Sequence, residues 1–223
     1  MLLTISSEDE RYWSQFIHSS KIKPIGVPGF DYARFISKPK KKYKKTILVA
    51  LGVAKKLPSE KFLKKNKNVL DELVKLKDVE IIIKPHPFKQ SEDINNLLNI
   101  YQKSYKAFKV SRKLIIELAK KSDVLICNLD TAATIYGLFH KIPIISFPFR
   151  DEIRLPSVNQ RLNFIEKTVS INDFMKKLKS ALYKTNSSVW IKQNKSFKKF
   201  YFQNKKTNDQ IFNFIENYRY EKL

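Results

Sequence analysis

Lys84-Pro85-His86-Pro87 sets an ammonium and an imidazole directly after an apolar run, Val79, Ile81, Ile82 and Ile83. Each proline fixes its own φ and restricts the residue before it, so the chain leaves that run extended, with His86 held between two rings. An imidazole held there could contact an anion or carry a proton. The bland alternative is an ordinary rigid turn. About forty residues on, Asn128, Asp130, Thr131 and Thr134 cluster behind a second apolar run, Val124 to Cys127. Small residues at 131–133 let a ligand come close to the backbone. The unpaired N–H groups of a helix's first turn attract anions, and threonine hydroxyls add donors beside them. Plain N-capping would need only one such residue. The second stretch points to a phosphate site built from Asn128, Thr131, Ala132 and Thr134, and His86 stands as a candidate ligand contact at a strand's carboxyl end. The other histidines offer less. His140 reads as an exposed residue that favours a helix C-terminus, and His18 has no motif around it.

These groups need a scaffold, and the hydrophobic pattern supplies one. Apolar runs over Thr46 to Leu51, Val79 to Ile83, Val124 to Cys127 and Ile142 to Phe147 read as strands, with a short one over Phe108 to Val110. The run at 79–83 is expected to be buried on both faces. Helical spacing is expected over Ser59 to Leu76, Ser91 to Tyr101, Ser111 to Lys120, Asp130 to Phe139 and Asn172 to Tyr183. Ser7 to His18, Ser187 to Asn204 and Asn208 to Tyr218 complete the helices, and Val169-Ser170 reads as a weaker strand. Strands alternating with helices imply βαβ units: an α/β, Rossmann-like parallel sheet with helices on both faces. In such sheets ligands sit at the strands' carboxyl ends, where both candidate stretches fall.

Composition bounds the rest. The 223 residues are 43% hydrophobic, with one cysteine, Cys127, and a net charge of +23. A single cysteine forms no internal disulfide and fits a reducing cytoplasm. No apolar run approaches the roughly 18 residues of a membrane span, so a cytoplasmic protein is expected. The lysine excess is what an A+T-rich genome would also produce, but it suits anionic lipid, nucleic acid or phosphorylated substrates. No zinc spacing, P-loop or RNP-like motif accompanies it, which leaves nucleic-acid binding on charge alone. Neither a metal nor a cofactor is expected.

Three features resemble the C-terminal, nucleotide-binding half of GT-B-fold transferases. They are Lys84-Pro85-His86-Pro87 behind its strand, the stretch from Ser122 to Thr134, and His140 to Phe147. The likeness is nearest to bacterial capsule and surface polysaccharide enzymes of the CDP-glycerol glycerophosphotransferase-like group. Gly26-Val27-Pro28-Gly29-Phe30-Asp31 resembles their crossover between domains, and 208–215 their closing helix. The resemblance implies residues 1–37 as remnant and crossover, 38–45 as a basic linker, 46–185 as the donor-binding domain, and 186–223 as helices packing back on it. It implies a nucleotide-sugar or CDP-glycerol donor, with His86 catalytic on its phosphate and Asp151, Glu152 and Arg154 on its sugar or ribose. Lys84 or Arg150 could add positive charge there. The implied partners are a lipid-linked saccharide acceptor on the cytoplasmic leaflet, an anionic membrane surface, and a separate chain bearing the acceptor domain. That domain falls outside the resemblance, so a fragment, a split subunit or a remnant is expected. The rival readings are a sugar-nucleotide epimerase of the UDP-GlcNAc 2-epimerase type and a non-catalytic basic binding module.

Overall fold

The computed structural model describes residues 2–4, 7–24, 44–51, 59–87, 92–127, 131, 133–146, 168–183 and 212–213. The chain divides into two compact units, residues 1–37 with 195–223, and residues 38–194. In the first, β1 (Leu2–Thr4) pairs in parallel with β2 (Ile22–Pro24), with Leu2 opposite Ile22. Between them run α1 (Ser7–Trp13) and a single 3₁₀ turn, Ser19–Lys21. Helix α1 ends well short of the expected His18. Beyond it the Ser14 hydroxyl donates back to the Arg11 carbonyl at 2.8 Å, and the His18 side chain accepts from the Ser20 N–H to start the next turn.

The second unit carries the sheet. Its elements in chain order are β3 (Lys45–Ala50), α2 (Ser59–Val74), β4 (Val79–Lys84), α3 (Glu92–Ser104), β5 (Phe108–Val110), α4 (Ile115–Lys120), β6 (Val124–Cys127), α5 (Ala133–Phe139), β7 (Ile144–Ser146) and α6 (Ile171–Tyr183). The strands lie in the order β5-β4-β3-β6-β7, all parallel. The chain thus builds outward from β3 through β4 to β5, then returns to the other side of β3. This α/β arrangement is Rossmann-like, and the strand order reverses between β3 and β6.

Side chains alternate across the sheet, and the two faces are covered unequally. Ile47, Val49, Val79, Ile81, Ile83, Val124, Ile126 and Ile145 form the main core with α2, α3 and α6. On the opposite face the short helices α4 and α5 pack over the β3–β6–β7 side. Strand β3 is accordingly buried from Thr46 onward. Strand β4 is not buried on both faces as expected: Val79, Ile81 and Ile83 are buried, while Glu80, Ile82 and Lys84 are half-buried. Helices of six and seven residues do not extend over that edge.

Asp123 ties β3 to β6 at their amino ends. Its N–H donates to the Thr46 carbonyl at 2.8 Å, its carboxylate accepts from the Thr46 N–H at 2.8 Å, and Lys45 Nζ lies 3.4 Å away.

Two further expectations are corrected. Val169-Ser170 is not a strand but the entry to α6. The Ser170 hydroxyl accepts from the Asp173 N–H and the Asp173 carboxylate accepts from the Val169 N–H, a reciprocal capping box. Helix α4 begins at Ile115 rather than Ser111, and its preceding residue Leu114 makes no side-chain cap. Residues 111–114 are therefore a connection at the carboxyl end of β5. The helices expected over 187–204 and 208–218 lie outside the described residues except Phe212 and Asn213, which are helical.

Candidate functional site

The strand ends fix the Lys84–Pro87 segment from both sides. The carbonyl of Ile83 accepts from the Ser111 N–H at 2.9 Å, and that of Lys84 accepts from the Leu51 N–H at 3.0 Å. Pro85 and Pro87 contribute no N–H, so the backbone leaves the ladder there. Lys84 Nζ donates to the Pro85 carbonyl at 3.1 Å. His86, half-buried, is carried on this anchored segment.

The segment opens into a cleft of about 880 Å³ at the carboxyl ends of the strands. Lys84, His86 and Thr131 all line it, so the two stretches separated in sequence share one cavity. Arg112 and Lys113 line it too, from the β5–α4 connection. Among the described residues that line it, none is a carboxylate. Burial lowers the Lys84 pKa below the usual lysine range, and the Arg112 charge lowers it further. Two cations held near one another at a partly desolvated site make the cleft electropositive before anything binds.

Thr131 precedes α5 and organises its first turn. Its hydroxyl oxygen accepts from the Ala133 N–H at 3.4 Å, and its carbonyl accepts from the Thr134 N–H at 3.2 Å. Because that hydroxyl is the acceptor in the Ala133 bond, its proton can still be donated into the cleft. Thr134 is placed differently from the sequence expectation. It is fully buried, and its hydroxyl donates to the Thr131 carbonyl at 2.7 Å. A threonine in a first helical turn readily bonds back to a carbonyl three residues earlier. It thus shapes the turn that presents Thr131.

His140 is also corrected. It is half-buried, not exposed, and its Nε2 is fully buried without a hydrogen-bond partner among the described residues. Burial and the Lys120 charge lower its pKa to about 4, against a hydrogen bond to the Ile116 backbone. The neutral ring does not serve the helix dipole. It fills the joint between α5 and α4. Lys141 follows at φ 56°, taking the left-handed position usual for glycine, while Ile142 N–H reaches the Gly137 carbonyl at 3.1 Å.

Asn128, Ala132, Arg150, Asp151, Glu152 and Arg154 lie outside the described residues. The sequence reading missed Arg112 and Lys113 because Ser111 resembles an N-cap and drew both into a helix. It also missed Asn95 and Asn99, one turn apart on the cleft side of α3. The only available signal for the basic pair was its place directly behind β5.

No family model and no curated protein matches the chain by sequence. Solved structures do match its fold. A UDP-GlcNAc 2-epimerase from Methanocaldococcus jannaschii, in complex with UDP-GlcNAc and UDP, is similar at TM-score 0.67 and 17% identity, over 97% of this chain and 60% of that one. The S. aureus MnaA–UDP structure is similar at TM-score 0.64 and 14% identity, over 96% of this chain and 58% of that one. A variant of the wall teichoic acid polymerase TagF with CDPG is similar at TM-score 0.62 and 16% identity, over 99% of this chain and 58% of that one. The chain spans about 60% of the length of these structures. What it shares with them is the α/β, Rossmann-like architecture of GT-B proteins.

Proposed function

We propose that the chain is the donor-nucleotide-binding part of a glycosyltransferase or polyol-phosphate transferase of capsular or surface polysaccharide synthesis. One observation carries the reading: Lys84, His86, Thr131 and Arg112 line a single cleft at the carboxyl ends of a parallel sheet, with no carboxylate among the described lining residues. Such a cleft suits a phosphorylated ligand. The structures similar to it are named with UDP, UDP-GlcNAc and CDPG, which supports a nucleotide-linked donor.

On this reading His86 contacts the donor phosphate and Thr131 donates its hydroxyl proton to the same group. As the bond to the leaving phosphate breaks, negative charge grows on that phosphate. Lys84 and Arg112, already positioned, stabilise it electrostatically. Asn128 and Ala132 would complete the phosphate contacts, and Asp151, Glu152 and Arg154 the sugar or ribose contacts. The acceptor would be a lipid-linked saccharide, met at an anionic cytoplasmic membrane surface by the basic chain, with a separate chain supplying the acceptor domain.

Calorimetric titration with CDP, CMP and UDP tests the reading. His86→Ala should weaken binding at least about tenfold, as expected for a lost hydrogen bond to a charged group. Unchanged affinity in a folded variant would refute the site. Interconversion of UDP-GlcNAc with its epimer, without transfer, would move the assignment to an epimerase.

A further inference from the structure

Lys84 is placed unlike the paired lysines of its unit. Lys45, Lys67, Lys75, Lys109 and Lys177 each lie against a carboxylate, which favours the charged ammonium. Lys84 meets no carboxylate among the described residues, and its Nζ donates to the Pro85 carbonyl at 3.1 Å. The side chain is half-buried in the cleft wall, and Arg112 lines the same cleft. Burial, and then the Arg112 charge, lower its pKa from the usual lysine value. Both act against the ammonium and for the neutral amine, the nucleophilic form of lysine. One N–H given to the Pro85 carbonyl steadies the nitrogen and leaves its lone pair for attack. Lys113 provides a comparison inside the same cavity, because it also lines the cleft but is exposed.

We propose that Lys84 is a modification site: the cleft captures small acyl phosphates on its cations, Lys84 takes the acyl group, and the resulting amide shuts out the anionic ligand. The proposal rests on the anionic-ligand part of the reading above, not on the nucleotide, and names a regulation of the same site. An acyl phosphate joins a phosphate, which a cationic cleft attracts, to an electrophilic carbonyl. With that phosphate against Arg112, the carbonyl carbon is brought to Nζ. The nitrogen lone pair forms the N–C bond, and the C–O bond to phosphate breaks with its electron pair left on the phosphate oxygen. The amine proton passes to that phosphate. An acyl phosphate dianion and an amine thus give an amide and hydrogen phosphate, with no further reactant. Arg112 stabilises the charge that grows on the leaving oxygen. The product has lost a cation and carries an acyl group where the phosphate would sit.

Acetyl phosphate is the probe, and acetylation of the full chain is followed site by site with peptide mass spectrometry. Lys84 should react at least about tenfold faster than Lys113, a small part of the advantage that bound geometry can give. Inorganic pyrophosphate should suppress labelling at Lys84 and leave that of the exposed Lys64 unchanged. With acetic anhydride, which carries no phosphate, the preference for Lys84 over Lys113 should shrink. It should shrink with acetyl phosphate in Arg112→Ala as well. The acetylated protein should bind pyrophosphate about tenfold or more weakly, as for a lost bond between charged groups. Lys84→Arg keeps a cation that is not acylated, so its pyrophosphate affinity should be the same before and after treatment. Labelling of Lys84 no faster than Lys113, or an equal preference with acetic anhydride, overturns the proposal, and normal CDP binding beside it leaves the nucleotide reading standing. Selective, pyrophosphate-sensitive labelling in a protein that binds neither CDP nor UDP supports the proposal and overturns the nucleotide reading.

Discussion

Gly137→Ala is the most direct test of how α5 is seated. A Cβ built on Gly137 would lie 2.8 Å from Leu125 Cδ2 and 2.9 Å from both Ile144 Cγ1 and Cδ1. Comfortable carbon contacts are about 3.5–4.0 Å, so α5 or its neighbours must give by roughly 0.6–1.2 Å. Leu125, within β6, and Ile144, the first residue of β7, are both fully buried, at 0% exposure. Overpacking of this kind costs about 1–3 kcal/mol. Against it, alanine in place of glycine favours a helix by about 1 kcal/mol. The expected net loss is about 1 kcal/mol, measured as a lower urea midpoint with unchanged slope. Ile144→Val removes one of the crowding methyls, Cδ1, and alone costs about 0.5–1.5 kcal/mol. In the double variant the losses should fall short of additivity by about 0.5 kcal/mol or more. If Gly137→Ala is as stable as the wild type or more so, the close approach is not what places glycine there and the reasoning fails.

Two further outcomes follow from charges. Lys84→Met should leave the free protein as stable or slightly more so, by less than about 1 kcal/mol, because it removes a partly desolvated cation beside Arg112, while it weakens CDP binding. A Lys84→Met protein that is clearly destabilised, or binds CDP normally, would contradict this. His140, held neutral with its pKa lowered to about 4, takes up its proton more readily when unfolded. It therefore contributes stability that is full above about pH 6.5 and is lost as pH falls toward 4. His140→Asn keeps a donor toward the Ile116 backbone without the titration, so its stability should fall less steeply over that range. Parallel pH profiles for the two proteins would sink the assignment.

The parallel sheet was legible because its signals are local and strong. The apolar runs at 47–49, 81–83 and 124–126, rich in β-branched residues, and the helical spacing of Val69, Leu70 and Leu73 need no tertiary information. The convergence of His86 with Thr131 followed from the same pattern, since alternating strands and helices bring the strand ends to one edge. What escaped depends on packing. Arg112 and Lys113 are two of 44 lysines and arginines, and only the late start of α4 puts them in the cleft. The burial of His140 is decided by α4 lying against α5, and the half-exposure of Ile82 by how far those short helices reach. Strand β1 has three residues and no flanking signal.

The Asp123 tie spans 77 residues of sequence, and this sets an order of events. Strands β3, β4 and β5 meet through nearby connections, whereas β6 must close a long loop to dock beside β3, an entropic cost met late. The crevice between those strands comes into being only at that docking. During refolding, recovery of ligand capture should therefore lag the return of helix and strand signals, and the lag should lengthen when the carboxylate at the seam is removed.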